Sequence, residues 1–150
     1  MFFPVLELAK YIVVKCINNE HPISNLQLQK ILFYVQREFL HSLNRPAFIE
    51  SIEAWPFGPV VPDVYYYFCG AGAMRIGVCS TPDDTILSMS ENERRIIDSI
   101  IESKRTLNPW DMVAETHKQG GAWDSVYNGG YGNREIIPIS DIGRLDFQFE

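Results

Sequence analysis

Apolar residues near the N-terminus fall at Val5, Leu8, Ala9, Ile12, Val13, Cys16 and Ile17, the three-and-four spacing of one helical face. This predicts a first helix ending around Asn18–Glu20, closed by the His21-Pro22 turn. A second start signal follows at once. Ser24 is placed to cap free backbone N–H groups, Gln27 to complete the capping box, and Ile23 with Leu28 to form a hydrophobic staple. The helix predicted from residue 24 to residue 44 buries Leu28, Ile31, Leu32, Val35, Phe39 and Leu43. Ser90 with Glu93 opens another capped helix, with Ile96, Ile97, Ile100 and Ile101 facing inward. Asn108-Pro109 starts a further helix, whose expected inner stripe is Trp110, Val113, Ala114 and His117.

Strand signals are short. Residues 48–56 read as extended, Gly58-Pro59 as a tight turn, and Arg75–Val78 as a second small strand. Pro62 suits the first turn of a short helix ending near Cys69, and residues 80–85 (STPDDT) read as a turn or loop. Ser140 is a candidate cap for a last short turn. The expected fold is mainly α, a single compact domain over 1–150 with five or six helices and a small antiparallel β element.

Composition narrows the function classes. The chain has 150 residues, 46% hydrophobic and 21% charged, enough for a real core without disulfide or metal staples. Net charge is −6 and uneven: residues 1–75 hold six basic and six acidic groups, residues 76–150 seven and thirteen. That balance argues against a nucleic-acid partner, whose phosphates demand a concentrated basic surface, and permits a basic protein partner, although most acidic faces are simply solvated. Three widely spaced cysteines (Cys16, Cys69, Cys79) form no Cys-x-x-Cys pair, which points to reduced thiols in a cytoplasm. Glu7, Lys10 and Lys15 interrupt the apolar N-terminal run, so no membrane span is expected.

Candidate chemistry is sparse. His21, His41 and His117 have no metal-ligand spacing, and no metal or other cofactor is called for. His117, on an apolar helix face and close in sequence to Trp123, is the one candidate general base; a helix-end histidine bonded to the following loop explains it more simply. The pairs Asp83-Asp84 and Glu91/Glu93 have local reasons in a turn and a helix first turn. The glycine-rich run GGAWDSVYNGGYG lacks the strand–loop–helix setting and the Lys-Ser/Thr of a phosphate loop.

The densest signal is EAWPFGPVVPDVYYYF (53–68), with Trp55, Phe57, Tyr65, Tyr66, Tyr67 and Phe68 among three prolines. No basic residue lies between Phe48 and Phe68, so it is not a stacking platform for single-stranded nucleic acid. Trp55 and Phe57 are expected in the core. Tyr66 and Tyr67 cannot both be hidden on so short a helix, and rigid exposed tyrosines suit protein contacts.

The segments LQKILFYVQ (28–36), IEAWPFGPVVPDVY (52–65), THKQGGAW (116–123) and IIPISDI (136–142) together resemble the SocA-like antitoxin family, or Panacea domain. The Glu53-Ala54-Trp55 and Gly58-Pro59-Val60-Val61 block carries most of the likeness. The resemblance implies a mostly helical, cytoplasmic protein of bacteria or phages that neutralises a cognate toxin, usually encoded next to it, by direct contact. Some relatives carry an added DNA-binding helix-turn-helix domain, for which 150 residues leave little room. On this reading Trp55, Phe57, Tyr65, Tyr66 and Tyr67, with Trp123 and Tyr127 of the following loop, form or border the toxin-contacting surface. Other readings are an adaptor delivering the toxin to a protease, a mobile-element protein binding a host or phage factor, and an enzyme using His117 as base.

Overall fold

A computed structural model describes residues 2–145. Its centre is α2 (Asn25–Ser42), and the predicted capping box is formed: the Gln27 N–H donates to Ser24 Oγ at 3.2 Å, and the Ser24 N–H to Gln27 Oε1 at 2.9 Å. Leu28, Ile31, Leu32, Val35 and Phe39 are buried as their spacing predicts, whereas Leu43 is only half-buried. The opposite side of the helix is buried too, including Asn25, Gln29, Lys30, Phe33, Tyr34 and Gln36.

Around α2 the chain lays down α1 (Val5–Asn18), the hairpin β1 (Glu53–Trp55) and β2 (Gly58–Val60), α3 (Pro62–Tyr67), α4 (Asp84–Leu87), α5 (Glu91–Lys104), α6 (Pro109–Thr116), α7 (Ala122–Tyr127) and α8 (Ile139–Leu145). Two single 3₁₀ turns complete the described residues. The class is mainly α with one small antiparallel sheet, and its eight helices exceed the five or six expected. The excess includes α4: residues 80–85 read as a loop, but Asp83 accepts from the Thr85 N–H at 3.0 Å and caps a one-turn helix. Ser90–Glu93 and Asn108 cap α5 and α6 as predicted. Ile97 and Ile101 of α5 are buried, while Ile96 and Ile100 are only partly so. α8 begins at Ile139, one residue ahead of Ser140, so Ser140 lies inside its first turn.

Two strand expectations are corrected. The hairpin turns at Pro56-Phe57, and Gly58-Pro59 lie in β2, with Trp55 paired to Gly58 and Glu53 to Val60. Gly58 is needed for its φ of +118°, and because a Cβ there would meet Thr116 Oγ1 and Lys30 Nζ at 2.8 and 2.9 Å. Arg75–Val78 forms no strand; Arg75 makes one bridge to Ser24, and Ile76 N–H donates to the Ile23 carbonyl. The partner segment enters α2 immediately, so pairing stops there. The second neighbour of β1 is the chain just before α8, where the Ala54 N–H bonds the Glu135 carbonyl and the Ile137 N–H the Ile52 carbonyl.

The polar residues of α2 serve as hydrogen-bond pins. Gln36 donates to the Phe48 carbonyl at 2.8 Å and accepts from the Ala47 and Phe48 N–H groups. Gln27 donates to the Leu107 carbonyl, and Asn25 to that of Tyr65. Gln29 accepts from the Val61 N–H at 2.9 Å, and Lys30 Nζ donates to the Pro59 carbonyl at 3.0 Å. The last two bonds satisfy the outer edge of β2, so a helix side chain stands where a third strand would.

Removing such a pin strands buried backbone groups. Gln36→Leu, measured by denaturant unfolding, is expected to lose about 2–3 kcal/mol, because three backbone groups lose their partner at once. A loss below about 0.5 kcal/mol, typical of a surface position, would contradict the assignment.

Burial of Lys30, fully enclosed, pushes its ammonium down to about 7. The unfolded chain then holds the Lys30 proton at pH values where the folded chain has released it, so stability rises with pH above 7. Between pH 7 and 8.5 the gain from this group is about 1–2 kcal/mol. Higher pH is a poor window, because Cys16 and Tyr11, raised to about 11 and about 12 chiefly by burial, act in the opposite sense. The Lys30→Met variant should flatten the rise between pH 7 and 8.5; an unchanged slope would remove Lys30 as its source.

Candidate protein-binding surface

The hairpin, α3, α6 and α7 bring most of the aromatic residues singled out in the sequence into one assembly. Trp55 is buried. Its ring meets Tyr65 at 4.9 Å and Tyr66 at 6.1 Å, the Arg134 guanidinium lies over it at 4.3 Å, and its Nε1–H donates to Glu53 at 2.9 Å. The Trp55 carbonyl accepts from Trp123 Nε1–H at 2.7 Å, which joins the hairpin to α7. Trp123 is itself the centre of a column. The His117 ring lies parallel to it at 3.7 Å, and Tyr127 stacks on it at 4.6 Å.

The column is fixed at its α6 end. His117 caps the C-terminus of α6, its N–H bonded to the Val113 carbonyl, and its ring bonds the Phe57 backbone. Burial first, and the neighbouring Lys30 charge second, lower the His117 pKa; the bond to Phe57 opposes them. The ring of this helix-end histidine therefore bonds the hairpin turn and not the loop that follows α6, which was the expected partner. Nε2 of His117 is buried without a hydrogen-bond partner. The adjacent hydroxyl, Thr116 Oγ1, is already bonded to the Met112 and Val113 carbonyls.

Above this buried layer stand exposed rings. Phe57 is 55% exposed and meets Trp110, 60% exposed, edge-on at 5.5 Å. Both were expected in the core. Phe57 sits at the tip of a two-residue turn, so it leaves the sheet while Trp55 enters the core. Trp110 projects outward because α6 buries Met112, Val113 and Thr116; Ala114 is exposed as well. Tyr66 is 55% exposed and rests against Trp55 and Tyr65.

Tyr67 is exposed, as expected, but is not part of this assembly. One helical step turns it toward α1, where Lys10 Nζ lies 5.5 Å above its ring and Phe68 packs against its edge. Trp110 and Arg134 belong to the assembly although neither was singled out for it. The Asn108-Pro109 cap located Trp110 on a helix, but the phase of so short a helix was misread.

The description "Antitoxin SocA-like, Panacea domain" matches residues 28–124, which run from α2 through the hairpin, α3 and α6 to the Trp123 column. α1 and α8 lie outside that match. The chain is 32% identical to Antitoxin SocA of Caulobacter vibrioides (strain NA1000 / CB15N) over 72% of its own length, and the alignment spans 62% of that relative. No solved structure matches. With most of α2, the whole hairpin and the Trp123 ring inside the matched span, the chain belongs to the SocA-like antitoxin family, the Panacea domain.

Proposed function

We propose that this chain is an antitoxin that neutralises a cognate protein toxin by direct binding through the aromatic surface, without catalysis. In this reading the toxin is encoded by an adjacent gene and met in the cytoplasm. Support comes from the kinship with Antitoxin SocA and, in the structure, chiefly from one observation. The exposed Phe57–Trp110 pair and Tyr66 stand on a hydrogen-bonded layer of buried Trp55 and Trp123 and half-buried His117. Rings held this way have little freedom left to lose on binding, and buried aromatic anchors dominate protein contacts. The acidic balance of residues 76–150 would add attraction for a basic partner.

Co-expression with the neighbouring open reading frame tests the reading. The double variant Phe57→Ala/Trp110→Ala should lose growth rescue and co-purification, with affinity down roughly thirtyfold or more and melting within about 3 °C of the parent. Tyr66→Ala should weaken binding in the same direction, and Tyr67→Ala should leave it intact. Full rescue by the double variant would remove this surface from toxin contact. A toxin whose half-life shortens whenever this chain is present would replace sequestration by delivery to a protease.

A further inference from the structure

A cleft of about 490 Å³ is lined in part by Ser24 and Asn108, the caps of α2 and α6, and by His21, Arg75 and Arg105. No Asp or Glu lines it, although the chain as a whole carries a net charge of −6. Two guanidiniums therefore line it beside His21 without a carboxylate between them, in a protein where acids outnumber bases.

Each of the three comes from a separately anchored segment. The His21 N–H bonds the Cys16 carbonyl at the end of α1. Arg75 is positioned by its bridge to Ser24 and by the bond from Ile76 N–H to the Ile23 carbonyl, and its side chain is exposed. Arg105 closes α5, with its own N–H on the Ile101 carbonyl, and its carbonyl accepts from Gln27 at 3.4 Å. The Nε and Nη1 of Arg105 are buried and have no hydrogen-bond partner. A guanidinium stays charged at any ordinary pH, and buried N–H donors without an acceptor carry a free-energy cost. The two guanidiniums that line the cleft, with no carboxylate beside them there, are suited to an oxyanion.

The charge count selects the kind of oxyanion. Two guanidiniums supply two permanent positive charges, and the N-terminal ends of two helices add positive potential. A single carboxylate would leave a surplus, whereas a phosphoryl dianion balances the pair. Its oxygens also match the guanidinium fork, which donates two parallel bonds. The volume is that of a small-molecule site. We propose that this cleft binds the phosphoryl group of a small ligand, with Arg75 and Arg105 as the principal donors. The ligand is free phosphate or pyrophosphate, or the phosphate tail of a nucleotide. This assignment is independent of the toxin-binding reading.

Calorimetric titration of the full chain with inorganic phosphate, pyrophosphate and ADP at constant ionic strength tests it, with potassium chloride and citrate as controls. Saturable pyrophosphate binding is expected, weakened roughly tenfold or more in both Arg105→Gln and Arg75→Gln. Arg75 is exposed, so its variant keeps the fold even if Arg105→Gln does not. ADP binding at least as tightly as pyrophosphate would assign the nucleotide source; pyrophosphate binding with ADP excluded would assign the free anion. The proposal is overturned by an absence of saturable binding, by unchanged affinity in Arg75→Gln, or by citrate binding as tightly as pyrophosphate.

Discussion

The arrangement of this protein depends on hydrogen bonds made by the buried polar side of α2. A helix enclosed on all sides is ordinarily apolar on all sides. Here Asn25, Gln27, Gln29, Lys30 and Gln36 are buried, and each bonds a backbone group of a segment outside α2. The net stabilisation from such a bond is modest, while leaving its partner buried and unpaired is costly. The consequence is specificity of placement: each loop has one position in which its backbone is satisfied. Apolar burial around Leu28, Ile31 and Val35 supplies the driving force, and the amides decide where the chain between helices lies.

That constraint reaches the aromatic surface through the outer edge of β2. Gln29 and Lys30 hold Val61 and Pro59, which fixes β2 against α2. So close an approach leaves no room for a Cβ at residue 58, and Gly58 with its positive φ sets the direction in which Phe57 leaves the turn. The Phe57 backbone then bonds His117, His117 stacks on Trp123, and Trp123 returns a hydrogen bond to Trp55. The surface rings are therefore positioned by a circuit that begins at a lysine with no exposed area. Exposed side chains on a frame of this kind have most of their ordering cost already met by folding.

Local signals in the sequence were dependable wherever the physics is local. Both Ser-x-x-Gln/Glu boxes, the Asn108-Pro109 start and Pro62 at the head of α3 depend on residues within one turn of each other. Failures arose where a distant segment decides. The α2 pattern marks Leu28 and Ile31 as core, yet nothing near Gln36 in the sequence announces that residues 47 and 48 will bond it. Gly58-Pro59 has turn chemistry, but Lys30 and Thr116 made its glycine a matter of space within a strand. Trp110 and Phe57 read as core by hydrophobicity, and they reach the surface because α6 and the hairpin have only a few residues with which to choose a face. The aromatic cluster was visible as composition; its division into Trp55 below, Tyr66 above and Tyr67 on another side required the backbone.

Lys30 and His117 are shifted ionisable groups that also hold the frame together. Shifted ionisable groups beside one another commonly mark catalysis, because acids and bases must be tuned to their task. In this pair the shifts have the same cause in both members, desolvation, and the same sign, toward the neutral form. A catalytic acid–base pair needs its members driven apart, one ready to give a proton and the other to take it. Lys30 Nζ is occupied by the Pro59 carbonyl, and His117 is tied to the Phe57 backbone with Trp123 against its ring. Moving either side chain to meet a substrate would release the hairpin from α2 and α6. The shifted pKa values thus accompany two polar groups whose hydrogen bonds fasten the hairpin to α2 and α6.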